Sequence, residues 1–224
     1  MIIAIDGPAA AGKTTVAKEV ARRLGATFLD TGAMYRAVTL VVLERGIDPA
    51  DSEGCGNVSR EIALTFDESG AIVIDGRSGE PDIRTPRVDR AVSHVSAHAS
   101  VREAIVRQQR QVAQRPGHLV AEGRDTTTVV FPNADHKFFL NASSSERAAR
   151  RARQTGATEE VDSIRADLEE RDRLDGSRAI APLVRADDAT EIDTGDRTLD
   201  EVVGSILDSI AASASERQDT HQGS

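Results

Sequence analysis

One eight-residue segment near the amino terminus constrains the fold more than any other feature of the sequence. Residues 7–14 read Gly-Pro-Ala-Ala-Ala-Gly-Lys-Thr and fit the pattern GxxxxGK[ST]. An apolar run at residues 2–5 precedes the segment, and apolar residues at helical spacing follow it, so it joins a predicted strand to a predicted helix. In that context the backbone N–H groups turn inward and the helix N-terminus adds a partial positive charge. The sequence therefore predicts a phosphate-binding loop within an α/β fold.

The chemistry of such a loop assigns roles to its side chains. Lys13 would reach the β- and γ-phosphate oxygens, and Thr14 would offer its hydroxyl to a metal ion. We expect the phosphoryl donor to be ATP and the metal to be Mg²⁺, with Thr14 as the predicted metal ligand. The predicted nucleotide-binding residues are Gly7, Pro8, Ala9, Ala10, Ala11, Gly12, Lys13, Thr14 and Thr15.

Other classes of phosphate-loop protein fit the sequence less well. A guanine-specific switch GTPase reads its base with an Asn-Lys-x-Asp segment, but none of the three lysines here follows an asparagine. A motor or transporter ATPase carries an apolar strand that ends in paired acidic residues, whereas the candidate strand here ends in Glu122 followed by Gly-Arg-Asp. An arginine at that point suits an anionic acceptor. The sequence thus favours transfer of the γ-phosphoryl group to a small acceptor.

Composition limits the partners that we expect. The net charge of −9 argues against a broad nucleic-acid surface, and no apolar run approaches the roughly 20 residues of a membrane span. The single cysteine, Cys55, excludes an internal disulfide and favours a reducing compartment. The chain opens on an apolar strand and carries no leader pattern. We therefore expect a cytoplasmic protein that binds small-molecule nucleotides, with neither nucleic acid nor a membrane as partner.

The hydrophobic pattern divides the chain into a core and two additions. The predicted core covers residues 1–45, 114–142 and 186–212, with strands at 2–5, 27–29, 118–121, 137–140 and 190–193. Residues 46–113 form a predicted insert that contains a hairpin of residues 63–66 and 71–74 and one helical stretch over 92–113. Residues 143–185 are predicted to contain two helices, near 144–154 and 159–174, and residues 213–224 to form a disordered tail.

Five segments together resemble bacterial cytidylate kinases. In chain order they are Ile5-Asp6-Gly7-Pro8, Asp30-Thr31-Gly32-Ala33-Met34-Tyr35-Arg36, Glu122-Gly123-Arg124-Asp125, Val129-Val130-Phe131-Pro132 and Arg178-Ala179-Ile180-Ala181-Pro182-Leu183. The similarity extends in consistent order over about residues 1–205. It implies phosphoryl transfer from ATP to CMP and dCMP. It also implies a phosphate-loop NTPase core, a parallel sheet flanked by helices, with an antiparallel acceptor-binding insert and a helical lid.

The resemblance also implies which residues bind the acceptor. The acceptor phosphate is expected at Thr31, Tyr35, Arg36 and Arg124, joined by Arg178, the cytosine at Ser93, Arg102 and Asp125, and the ribose at Arg171 and Asp175. Lys13, Arg124 and Arg178 would be the catalytic residues. The chain departs from the family pattern at Thr126-Thr127-Thr128, where a threonine replaces a permissive glycine.

The predicted lid is rich in arginine, and Arg147 and Arg151 share one helix face, where two like charges favour an anion between or near them. A nucleoside monophosphate is itself an anionic nucleophile, so the predicted reaction needs no protein general base. We expect a monomer. Two alternatives stay open from the sequence: a phosphate-loop kinase with another acceptor, and a nucleotide-binding regulatory module without turnover.

Overall fold

The computed structural model describes the backbone of residues 1–222 and the side chains through residue 213. Strands and helices alternate in its amino-terminal part: β1 (Ile2–Asp6), α1 (Lys13–Leu24), β2 (Thr27–Asp30) and α2 (Thr31–Glu44). Gly25 ends α1 in the left-handed conformation, with φ of 60°. The Asp30 carboxylate caps α2 by accepting a hydrogen bond from the Ala33 amide at 2.8 Å. Strand β2 therefore runs directly into α2, and Thr31 lies at the junction.

The next part is the predicted insert. Its elements are α3 (Ser52–Glu61), β3 (Leu64–Phe66), β4 (Ile72–Ile74), β5 (Arg77–Ser78), a 3₁₀ turn (Asp82–Arg84), α4 (Pro86–Val95) and α5 (Ala99–Ala113). The predicted hairpin is present, with β3 and β4 antiparallel and Leu64 opposite Ile74. The short strand β5 adds a third antiparallel member that the sequence did not predict.

The prediction of one helix from residue 92 to residue 113 is wrong, because α4 and α5 are separate. His98 takes an extended backbone, with φ of −68° and ψ of 127°, and begins α5. Because of this turn, the Ser96 carbonyl accepts no hydrogen bond within a helix, and the Arg102 guanidinium donates to it instead at 3.3 Å. Apolar periodicity continues across this break, so the pattern alone did not reveal a turn that lacks glycine and proline.

The carboxyl-terminal part completes the core and contains two further helices. Its elements are β6 (Leu119–Gly123), a π-helical turn (Thr126–Val130), β7 (His136–Asn141), α6 (Ser144–Thr155), α7 (Val161–Gly176), β8 (Thr190–Asp193) and α8 (Leu199–Gln222). The core sheet has the order β2-β6-β1-β7-β8, and every neighbouring pair in it is parallel. All five strands thus end at one edge, where open α/β sheets bind their ligands.

Helices cover both faces of this sheet. Val16 and Val20 of α1 pack with Ile206 of α8 and Phe138 of β7 on one face. On the other face, Val38 of α2 belongs to a cluster that also includes buried side chains of α3, α4 and α5. The insert therefore shares its hydrophobic core with α2. Among the described residues, no helix combines the length and apolar character needed to cross a membrane.

The last helix differs from the predicted ending. The sequence predicts a disordered tail over residues 213–224, whereas the backbone of α8 is helical to Gln222. Neither glycine nor proline, the two strongest helix breakers, occurs between residues 211 and 221. Residues 223–224 of the predicted tail lie outside the described residues.

A buried carboxylate holds the segment Thr126-Thr127-Thr128, where the resemblance implies a glycine. Asp6, at the end of β1, is fully buried and accepts hydrogen bonds from the amide and hydroxyl groups of both Thr126 and Thr127, at 2.5 to 2.9 Å. Thr127 does not adopt a positive φ, so its branched side chain causes no backbone strain. The two threonines thereby fix the π-helical turn to the strand that leads into the phosphate loop.

This arrangement predicts a stability effect. Thr127→Val removes a buried hydrogen bond to a charged acceptor, and we expect the free energy of unfolding to fall by about 1.5–3 kcal/mol in urea denaturation. Thr39→Val is the matched control, because the buried Thr39 hydroxyl donates to the neutral Tyr35 carbonyl at 2.8 Å. The control should lose about 1 kcal/mol or less. An equal loss of unfolding free energy in the two variants would show that a hydrogen bond to the Asp6 carboxylate stabilises the protein no more than one to a neutral carbonyl.

Candidate active site

The predicted phosphate loop connects β1 to α1 and is shaped by two glycines. Gly7 has φ of 152°, and a Cβ atom there would lie 2.1 Å from the Leu140 carbonyl oxygen of β7. Gly12 has φ of 87° and directly precedes α1. Only glycine meets both requirements, close approach and a left-handed backbone. The loop therefore lies against β7 with the N-terminus of α1 at its end.

Lys13 lies inside this loop. Its ammonium group donates to the Pro8 carbonyl at 2.7 Å, and the residue is buried. Burial, followed by the charge of Arg124, lowers the pKa of Lys13 to about 7, although Glu122 and Asp6 oppose the shift. A phosphate group bound in the loop would therefore stabilise the charged form of Lys13.

Thr14 contacts an acidic residue of the neighbouring strand. Its hydroxyl donates to the Glu122 carboxylate at 2.7 Å, and Glu122 lies beside Ile5 in the parallel register of β6 and β1. Burial and the nearby Asp30 raise the pKa of Glu122. The sequence placed Glu122 at a strand end without giving it a role. An acid at the carboxyl end of the strand next to the loop strand was the signal that could have identified it.

A cavity of about 180 Å³ opens beside the tip of the phosphate loop, where Ala9 and Ala10 form part of its wall. The structure brings all ten predicted acceptor residues to this cavity, although they come from six separate parts of the chain. They are Thr31, Tyr35, Arg36, Ser93, Arg102, Arg124, Asp125, Arg171, Asp175 and Arg178. What each of them binds stays a prediction.

Two arginines of the cavity share one buried carboxylate. Arg124 donates to Asp175 at 3.0 Å, and Arg178 forms a second ion pair with the same side chain. Ser93 donates to it at 3.2 Å. Burial alone would raise the pKa of Asp175, but the surrounding arginines outweigh burial and hold the pKa below its ordinary value. Asp175 therefore keeps its charge and orients both guanidinium groups.

A second group of three arginines converges on Asp89 of α4. Arg36 of α2, Arg151 of α6 and Arg171 of α7 form ion pairs with it at 2.5, 2.7 and 3.4 Å. Burial and the neighbouring guanidinium groups, Arg124 before Arg36, lower the pKa of Arg171 to about 10. The positive charge of this group thus exceeds what one carboxylate neutralises.

The deep side of the cavity is formed by a buried ion pair. Arg102 and Asp125 contact each other with side chains only 4% and 5% exposed. The Arg102 guanidinium also lies 5.3 Å from the centre of the Tyr35 ring, within cation–π range. Burial raises the pKa of Asp125 despite the partner arginine. Within the described residues, the buried Arg102 Nε atom has no hydrogen-bond partner.

The two predicted lid arginines contact different ends of the site. Arg147 donates to the Ala9 carbonyl at 3.0 Å and to Asp172 of α7 at 2.6 Å, while Arg151 reaches Asp89. Asp172 also accepts from the Ala9 amide at 3.2 Å. The sequence did not single out Asp89 or Asp172, since an acid on a charged helix carries no distinguishing local signal.

The chain is similar to known proteins over most of its length. A sequence model of a protein family described as cytidylate kinase matches residues 3–212. The chain is 43% identical over 214 residues to the cytidylate kinase of Mycolicibacterium paratuberculosis, covering 93% of this chain and 94% of that protein. It is 45% identical over 212 residues to the cytidylate kinase of Limosilactobacillus reuteri (strain DSM 20016), covering 91% and 92%.

A solved structure is similar at the level of the fold. It is that of an uncharacterized protein from Eubacterium ventriosum, with a TM-score of 0.50, 12% identity and coverage of 95% of this chain and 98% of that one. At this identity the likeness concerns the fold alone.

The lowered pKa of Lys13 predicts proton uptake on nucleotide binding. Between pH 7 and pH 10.5 Lys13 is largely neutral before a nucleotide binds, and the phosphates of a bound triphosphate raise its pKa, so binding takes up a proton. We therefore expect affinity for a nucleoside triphosphate to fall as pH rises through this window. Calorimetry at pH 8.5 in two buffers of different ionisation enthalpy measures the uptake.

Lys13→Met is the control for this measurement, because methionine keeps much of the side-chain volume without a titrating group. The variant should lose most of the uptake. Equal proton uptake in wild type and variant would assign the effect to another group.

Proposed function

Because the chain belongs to the cytidylate kinase family, we propose that it transfers the γ-phosphoryl group of ATP to the phosphate of CMP or dCMP. One observation carries the proposal for this chain. The residues that the resemblance assigns to the acceptor line a single cavity whose wall includes the tip of the phosphate loop. A donor bound by the loop would thus meet an acceptor held by arginines.

The geometry supports direct transfer between the two phosphates. The acceptor phosphate is already an anionic oxygen nucleophile, so the protein must align the reactants and neutralise their charge. Lys13 lies within the loop, and Arg124 and Arg178 lie on the acceptor side, where each can exchange its carboxylate partner for phosphate oxygens. These three are the residues that we assign to catalysis.

The residues beside the loop also fit Mg²⁺. Thr14 and Glu122 provide hard oxygen donors in hydrogen-bond contact. Within the described part of the chain, no group of three His, Cys, Asp or Glu side chains is placed to hold a metal. Mg²⁺ would therefore be held by Thr14 and Glu122 together with nucleotide phosphates, and when bound it would neutralise phosphate charge.

We assign recognition of the base to the buried ion pair of Arg102 and Asp125. Cytosine presents an exocyclic amine beside a bare ring nitrogen and a carbonyl oxygen. Asp125 can accept from the amine, while Arg102 and Ser93 can donate to the two acceptors. Uracil reverses the pattern at the amine and at the ring nitrogen, so buried groups would lose their partners.

The remaining parts of the proposal concern organisation. We infer a core of residues 1–45, 114–142 and 186–212, an acceptor-binding insert of about residues 46–113 and a lid of about residues 143–185. The contacts of Arg147 with Ala9 and of Arg151 with Asp89 support a lid over the cleft. A monomeric state and a cytoplasmic location stay predictions.

An acceptor panel tests the function. In a coupled assay of ADP release with CMP, dCMP, UMP, AMP and GMP, we expect the highest kcat/KM for CMP and dCMP. Arg124→Met should reduce kcat/KM for CMP by about 10²–10³, the scale of losing one donor to the transferring charge. Its affinity for ATP, measured by titration, should change little.

Two outcomes would contradict the proposal. Preference for an acceptor other than a cytidine nucleotide would favour a different small-molecule kinase. Tight ATP binding with no product from any acceptor would favour a module without turnover. A comparable loss of ATP affinity in Arg124→Met would move this arginine to the donor side.

The base pocket gives a further prediction. Asp125→Asn and Arg102→Met should each narrow the ratio of kcat/KM for CMP over UMP by about tenfold or more, mainly by damaging CMP use, since discrimination by unpaired buried groups can be large. Thermal unfolding must accompany the kinetics, because removing one partner of a buried ion pair costs about 3–5 kcal/mol. An unchanged ratio in both folded variants would remove these residues from base recognition.

A further inference from the structure

Asp89 is the acidic residue on which three arginines of the cleft converge, and neither the motifs nor the resemblance assigns it a role. It lies on α4 of the insert, whereas its partners come from α2, α6 and α7. Its carboxylate therefore joins the core, the insert and the lid at one point. Arg36, Arg151 and Arg171 all line the cavity.

The contacts of these arginines indicate that few hydrogen-bond acceptors surround them. Besides its ion pair with Asp89, Arg36 donates a hydrogen bond to the Ile83 carbonyl at 2.9 Å. The Arg171 Nε atom has no hydrogen-bond partner among the described residues and is buried. Three guanidinium groups thus share one carboxylate with two oxygens. These guanidinium groups can therefore donate further hydrogen bonds to an anion that has more charge and more oxygens than one carboxylate.

We propose that Asp89 is an internal competitor of the acceptor phosphate, holding the arginine cluster in the empty cleft and lowering its affinity for anions. The inference rests on the proposed acceptor clamp and adds a residue that sets its affinity. A phosphate dianion offers three oxygens and about two negative charges, so it can displace a single carboxylate. The displaced carboxylate stays on α4 close to the ligand, where like charge opposes binding.

This role predicts two effects of removing the Asp89 charge: lower stability without a ligand and tighter binding of an anion. Without a ligand, loss of the Asp89 charge leaves three arginines repelling one another and lowers stability. With an anion, the same loss removes both the competitor and the repulsion, so binding becomes tighter. A residue that served only to connect helices would lower stability without tightening anion binding.

The probe is inorganic phosphate, because it tests the clamp without requiring any particular base. Asp89→Asn keeps the shape of the side chain and removes its charge, and Asp89→Ser is a smaller neutral variant in case the amide disturbs folding. Glu44→Gln is the control, since Glu44 pairs with Arg77 on the exposed side of the same region at 2.6 Å. Calorimetry and thermal unfolding are performed on the full chain in chloride buffer, with and without phosphate.

We expect the Asp89 variants to bind phosphate about tenfold more tightly than wild type, as expected from removing roughly one competing charge contact. Their melting temperature should be lower without phosphate and rise more when phosphate is added. KM for CMP should fall severalfold without a rise in kcat, KM for ATP should stay within about twofold, and Glu44→Gln should match wild type. Unchanged or weaker phosphate binding in both variants would overturn the proposal. If CMP were not the acceptor, the phosphate result would still stand or fall by itself.

Discussion

The structure depends on neutralising guanidinium groups that are buried around one cleft. A buried charge without a partner is strongly destabilising, so each arginine needs a nearby carboxylate. Except for Asp175 and Arg178, which are three residues apart, the partners come from elements far apart in the sequence, so these pairs hold separate regions together. These pairs are Arg102 with Asp125, Arg124 and Arg178 with Asp175, Arg147 with Asp172, and Arg36, Arg151 and Arg171 with Asp89. In the proposed reaction, phosphate oxygens would replace the carboxylate partners of Arg36, Arg124 and Arg178.

The central strand β1 and its neighbour β6 set the geometry of the reaction. Strand β1 ends at Asp6 and leads into the phosphate loop, while β6 ends in the segment that carries Glu122 and Arg124. Asp6 then bonds to the turn after β6, so two adjacent strand ends are fixed to each other by a buried carboxylate. The Thr127 hydroxyl adds a hydrogen bond to this junction, at a position where the resemblance implies a glycine.

Local pattern and motif predicted the alternating strands and helices, the phosphate loop and the inserted hairpin. The resemblance added the acceptor residues, which the fold brings to one cavity. The break between α4 and α5 escaped prediction because Ser96 and His98 form a turn without glycine or proline. Asp89 and Asp172 escaped for another reason: an acidic residue on a helix looks like a solvated residue until distant arginines are placed against it. Charge partners across a cleft are a tertiary property.

Helix α6 contacts both ends of the cleft through two arginines that lie one helical turn apart. Arg147 and Arg151 are four residues apart, about 6 Å along the helix axis. One contacts the phosphate loop and the other the acceptor-side cluster. Because an α-helix keeps this spacing rigidly, any movement of α6 shifts both arginines together. In-line transfer requires the reacting atoms to lie about 3–3.5 Å apart. In the proposed reaction, movement of α6 would therefore change the arginine contacts at the donor end and at the acceptor end of the cleft together.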